Sequence, residues 1–96
     1  MQNLGSNTRL HALVTGMVQG VNFRWFTQQR AAALEVVGYV RNRADGSVEV
    51  VAEGSPDALK IFLAQVQEGP SHAVVEHVEP RWRAPRDEFY RFEIRD

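Results

Sequence analysis

Two stretches with apolar residues every third or fourth position, each set between runs that alternate every second residue, restrict this chain of 96 residues more than anything else in it. Residues 10–15 (LHALVT) put Leu10, Ala12 and Val14 on one side and His11, Leu13 and Thr15 on the other, which predicts a strand. Residues 16–21 (GMVQGV) interrupt it with two glycines, and Asn22 stands where a helix N-cap belongs. From Phe23 to Leu34, the residues Phe23, Phe26, Arg30, Ala33 and Leu34 share one helical face, the stem of Arg30 lying at its margin. Residues 36–42 (VVGYVRN) and 47–53 (SVEVVAE) again predict strands, joined by RADG, whose Gly46 can take positive φ in a hairpin turn. A second helix is announced by Ser55 as cap, Pro56 at its first position and Asp57 at its positive end. It continues through Leu59, Phe62, Leu63 and Val66 and stops at Gly69-Pro70. Residues 74–82 are strand-like, but Val75 and Val78 are out of phase, which predicts a bulge or a bend. Tyr90, Phe92 and Ile94 then alternate with Arg91, Glu93 and Arg95 in a closing strand.

The order β, α, β, β, α, β predicts an α+β fold. It is the split βαββαβ, ferredoxin-like sandwich, a mostly antiparallel sheet with two helices on one face and an additional C-terminal strand. Residues 1–8 (MQNLGSNT) are expected to form a flexible N-terminal tail, and residues 9–96 a single domain with one core. Such a fold hosts enzymes and binding modules alike, so composition has to narrow the choice. Eleven Lys+Arg against 12 Asp+Glu leave a net charge of −1, which argues against a nucleic-acid partner. The first and third strands also lack the aromatics on which RNA-binding sheets of this type stack bases. No run approaches the ~20 apolar residues of a membrane span, and the first residues lack the apolar run of a signal peptide. The absence of Cys removes disulfides and thiolate chemistry and fits a reducing compartment. The expectation is a cytoplasmic monomer that acts on a small molecule, without nucleic acid or membrane.

The segment that can carry chemistry is GMVQGVNFR, residues 16–24, which passes from a strand end into a helix start. Such a loop can turn the backbone N–H groups of Gln19, Gly20, Val21, Asn22 and Phe23 towards one point, where the helix N-terminus adds positive partial charge. Arg24 falls in the first helical turn, where a cation is unfavourable unless an anion sits in front of it. The pattern alone equally allows an ordinary tight turn with Arg24 on the surface. GxxxxGK[ST] is absent, so a nucleoside triphosphate is not implied. In a split βαββαβ sheet the hairpin between the second and third strands lies at the same end as this loop, which brings Asn42 opposite it. A carboxamide can donate and accept, and so orient a water, although the same residue can also begin the turn through an Asx-type bond. His11, His72 and His77 lack metal-ligand spacing, and no metal or cofactor is expected. Trp25 and Trp82 could touch a bound group, although packing or half-exposure is the commoner use of such residues.

VTGMVQGVNFR (residues 14–24) and GYVRNRADGSVEVVAEG (residues 38–54) closely resemble the two signature segments of the acylphosphatases, and the likeness extends to the closing FEIR. That resemblance implies hydrolysis of the carboxyl-phosphate anhydride of small acyl phosphates to carboxylate and inorganic phosphate, without a metal. It implies that Arg24, with the loop amides from Gln19 to Phe23, binds the phosphoryl group, and that Asn42 positions the nucleophilic water. Met17 occupies a place often basic in that family, and Asn22 one often glycine. A regulatory domain that binds such an anion without turning it over is the alternative left open.

Overall fold

The computed structural model describes residues 7–96. Most of the expected tail, residues 1–6, lies outside the described residues, and Thr8 already belongs to the first strand. The elements run β1 (Thr8–Met17), α1 (Phe23–Ala33), β2 (Val37–Asn42), β3 (Val48–Gly54), α2 (Pro56–Glu68), β4 (Val74–Arg83) and β5 (Phe92–Arg95). The five strands form one sheet in the order β4-β1-β3-β2-β5. Every pairing is antiparallel except that of β5 with β2, which is parallel.

Register decides which side chains meet. Leu10, Ala12 and Val14 of β1 stand opposite Ala52, Val50 and Val48 of β3, and Val50 in turn opposes Val40 of β2. This even-numbered face packs against Phe23 and Ala31 of α1 and Leu59, Phe62 and Val66 of α2, all essentially closed to solvent. Because side chains alternate across a strand, Asn42, which pairs with Val48, and Ile94, which pairs with Val40, lie on the same helix-covered side. His11, Glu49 and Glu53 fall on the other side.

The connection from β4 to β5 joins opposite edges of the sheet and crosses that other side as a strap. Phe89 of the strap meets Tyr39 edge-on, with ring centroids 6.0 Å apart. Beneath it, the buried Glu53 carboxylate accepts hydrogen bonds from Arg9 Nη1 (2.8 Å), Arg86 N (2.8 Å) and Asp87 N (3.1 Å). Burial pushes this carboxyl up, but the two backbone donors and the Arg9 guanidinium outweigh it and hold the group below its ordinary 4.5. Removing the carboxylate leaves two N–H groups without their acceptor and the buried Arg9 guanidinium with only the longer contact to Glu88 at 3.5 Å, so Glu53→Ala is expected to cost about 3 kcal/mol in urea unfolding at pH 7. A depressed carboxyl stabilises fully above its unfolded value and loses that contribution as pH falls through the folded one. The gap between wild type and variant should therefore narrow when the titration is repeated near pH 3.

The predicted bulge lies in β4. Thr15 pairs with His77 and Gly16 with Val75, which leaves Glu76 as the extra residue. A Cβ on Gly16, whose φ is 124°, would come within 2.1 Å of the Val74 carbonyl oxygen, so only glycine fits in β1 opposite the bulge.

Three expectations need correction. The buried face of α1 is Phe23, Thr27 and Ala31, whereas Arg30 and Ala33 are exposed and Phe26 only half-buried. Thr27 can face the core because its hydroxyl donates to the Phe23 carbonyl at 2.9 Å, and Phe26 on the flank is covered by the Arg30 guanidinium 5.0 Å from its ring centre. Tyr90 is not part of the closing strand and is 98% exposed. In the parallel register it would oppose Val36, whose N–H bonds the Ala31 carbonyl at the end of α1, so no strand is there to pair with. The third concerns Asn22 and belongs to the site.

Candidate active site

Between β1 and α1 the chain turns twice through left-handed backbone, at Gly20 (φ 77°) and at Asn22 (φ 63°, ψ 26°). Asn22 does occupy the N-cap position, as expected, but its backbone is left-handed where a cap is usually extended, and its side chain makes no capping bond to α1. Asparagine tolerates this conformation better than most residues. The consequence is chemical. The first helical bond runs from Phe26 N to Asn22 O, and no acidic residue stands in the first turn, so the amides at the start of α1 are left to whatever approaches. The contrast is α2, where Ser55 Oγ accepts from Ala58 N and Pro56 and Asp57 complete the terminus as predicted.

A cleft of about 280 Å³ opens in front of these amides, lined by Val18, Gly20, Asn22, Phe23, Arg24, Trp25, Asn42 and Ile94. Arg24 and Asn42, separated by a helix and most of a strand in sequence, therefore share one site. Arg24 is held from behind: its Nη1 donates to the Arg95 carbonyl at 3.2 Å and lies 3.7 Å from the Asp96 carboxylate. Among the described residues its other guanidinium donors have no partner and are open to a ligand. Among the described residues the Asn42 carboxamide has no hydrogen-bond partner, and the hairpin turn is instead secured by Asp45, whose carboxylate accepts from Ser47 N (3.0 Å) and Ser47 Oγ (2.6 Å). Those bonds hold the Asp45 carboxyl below its ordinary range.

The side chains of Gln19 and Val21 are engaged outside the cleft, which leaves only their backbone amides for the expected anion-binding role. The Gln19 carboxamide donates to the Arg43 carbonyl (2.8 Å) and the Ser47 carbonyl (2.9 Å), which fastens the loop to the β2–β3 hairpin and so fixes it relative to Asn42. Val21 packs against the core. Two neighbours of Asn42 are occupied elsewhere: Arg41 bonds Glu49 on the strap side of the sheet, and Arg43 lies 3.6 Å from Asp45. His11 also bonds Glu49, at 2.7 Å, and faces away from the cleft. Burial would raise the Glu49 carboxyl, but His11 and Arg41 together bring it below the usual value. Trp82 lies on β4, opposite Leu10 and remote from the cleft.

Sequence reasoning did not identify Ile94 or the Arg95 carbonyl. Nothing local marks them, because their place depends on β5 adding in parallel beside β2.

The α+β sandwich thus gathers a strand-to-helix loop, an open helix terminus, Arg24 and Asn42 around one cleft, an arrangement suited to a small anion. Residues 10–94 match the acylphosphatase family, and the chain belongs to it. It is 48% identical over 91 residues to an acylphosphatase of Salinibacter ruber, covering 95% of this chain and 96% of that one. Over 74 residues it is 53% identical to an acylphosphatase of Thermus thermophilus, covering 77% and 84% of the two chains. The crystal structure of the acylphosphatase from Bacillus subtilis superposes with a TM-score of 0.90 at 35% identity, over 93% of this chain and 99% of that one.

Proposed function

We propose that this protein is a metal-independent acylphosphatase in which Arg24 and the amides from Gln19 to Phe23 bind the phosphoryl group and Asn42 places the attacking water. The observation that carries this reading is the meeting of Arg24 and Asn42 in one cleft at the uncapped start of α1. Hydrolysis of an acyl phosphate asks little of a protein. The leaving group is a carboxylate with a pKa of about 4, so it departs without being protonated, and no general acid is needed. What is left is to align a water with the P–O bond and to stabilise the equatorial oxygens with fixed donors. A guanidinium and a set of amides supply the second requirement, and a carboxamide that both donates and accepts suits the first.

The reading extends to residues 9–96 working as one monomeric unit in the cytoplasm on a small substrate. Among the described residues, no helix is long and apolar enough to cross a membrane, and no three His, Cys, Asp or Glu side chains cluster as metal ligands. Phosphate release from acetyl phosphate, followed with and without a strong chelator, tests the proposal. Equal rates are expected; activity that disappears with chelator and returns with a divalent cation overturns metal independence. Binding of inorganic phosphate without any turnover would favour a regulatory anion-binding role instead.

A further inference from the structure

One wall of the cleft is not needed for phosphoryl transfer. Trp25 follows Arg24 in the first turn of α1 and is 58% exposed, and Ile94 on β5 is 39% exposed, yet both line the cleft that holds Arg24 and Asn42. Isolated apolar side chains on a surface are ordinary, but here two large ones from distant parts of the chain converge beside one guanidinium. Their meeting has a structural cause: Ile94 lies on the helix-covered side of β5, and the next residue, Arg95, holds Arg24 through its carbonyl. The cleft, at about 280 Å³, is just below the size at which small-molecule sites begin, near 300 Å³. That leaves space for a compact ring or branched chain next to a phosphoryl group. Among the described residues lining it, Arg24 alone carries charge, so a second anionic group on the substrate would find no second cation.

We propose that Trp25 and Ile94 form the seat of the acyl group, and that Trp25 thereby selects compact, uncharged aromatic or branched acyl phosphates over acetyl phosphate. The inference rests on the phosphoryl-binding role given to Arg24 above. In the reaction, the water oxygen bonds to phosphorus, the bridging P–O bond breaks, the acyl group leaves with that bond's electron pair as a carboxylate, and the two protons of the water stay with the inorganic phosphate. The acyl carbon skeleton does not change during this step. An apolar wall therefore grips substrate and transition state alike, and its effect belongs in KM rather than kcat.

Kinetics of the full-length protein on benzoyl phosphate and acetyl phosphate test this, using Trp25→Ala, Trp25→Phe and Arg24→Ala. In Trp25→Ala the benzoyl-to-acetyl ratio of kcat/KM is expected to fall about 5- to 20-fold, through a higher KM for benzoyl phosphate, and to recover in Trp25→Phe. Circular dichroism should report an unchanged fold, since this side chain is mostly outside the core. An unchanged ratio, whether both activities hold or both fall together, overturns the acyl seat. Wild-type rates in Arg24→Ala on both substrates would overturn the phosphoryl-binding reading instead, so the two failures are separable.

Discussion

Arg24→Ala is expected to lower kcat/KM for acetyl phosphate by about 10³- to 10⁵-fold, the range in which a single arginine acts on a phosphoryl transition state. The effect is large because the cleft has so few other groups with which to compensate. Arg24 is its one charged lining residue among those described, and the first turn of α1 contributes only partial charges. Arg24→Lys should rescue little. The guanidinium is a planar fork with one donor fixed on the Arg95 carbonyl and the others directed by that anchorage, whereas an ammonium carries its charge at a point and has no rigid fork. Stopped assays with acetyl phosphate, together with a thermal melt to confirm folding, measure both variants. Arg24→Ala turnover close to wild type would falsify the assignment.

Asn42→Ala is expected to reduce kcat by about 10²- to 10³-fold, comparable to removing one preorganised polar group from a hydrolytic site. Inhibition by inorganic phosphate should persist within about threefold, because the groups proposed to hold phosphate stay in place. This split distinguishes aiming a water from gripping the anion. It follows from position: Asn42 is the last residue of β2, faces the helix side, and leaves the hairpin turn to Asp45. Loss of phosphate inhibition in a folded Asn42→Ala protein would assign that carboxamide to binding instead.

How far the sequence carried these conclusions depended on whether a signal was local. Ser55, Pro56, Asp57 and the Gly69 stop define α2 through backbone chemistry completed within a turn, and they appear as expected. The mismatch of Val75 and Val78 announced the bulge at Glu76 because alternation is itself a local property. Asn22 misled because an asparagine before a helix fits both a capping side chain and a left-handed turn, and only the path out of Gly20 decides between them. The face of α1 was misplaced for a similar reason, since a threonine that bonds its own helix can be buried as readily as an aliphatic residue. Arg24 and Asn42 could be brought to one end of the sheet from topology alone. The back wall of the site could not, because no pattern in FEIR specifies which strand it will join.

The anchorage of Arg24 sets an order of events during synthesis. The Arg95 carbonyl that steadies the guanidinium is 71 residues further along the chain, on the last strand of the sheet. Until that strand has been made and added beside β2, the guanidinium lacks this support. The placement of the side chain proposed to grip the anion is thus a property of the assembled sheet and not of its own loop and helix.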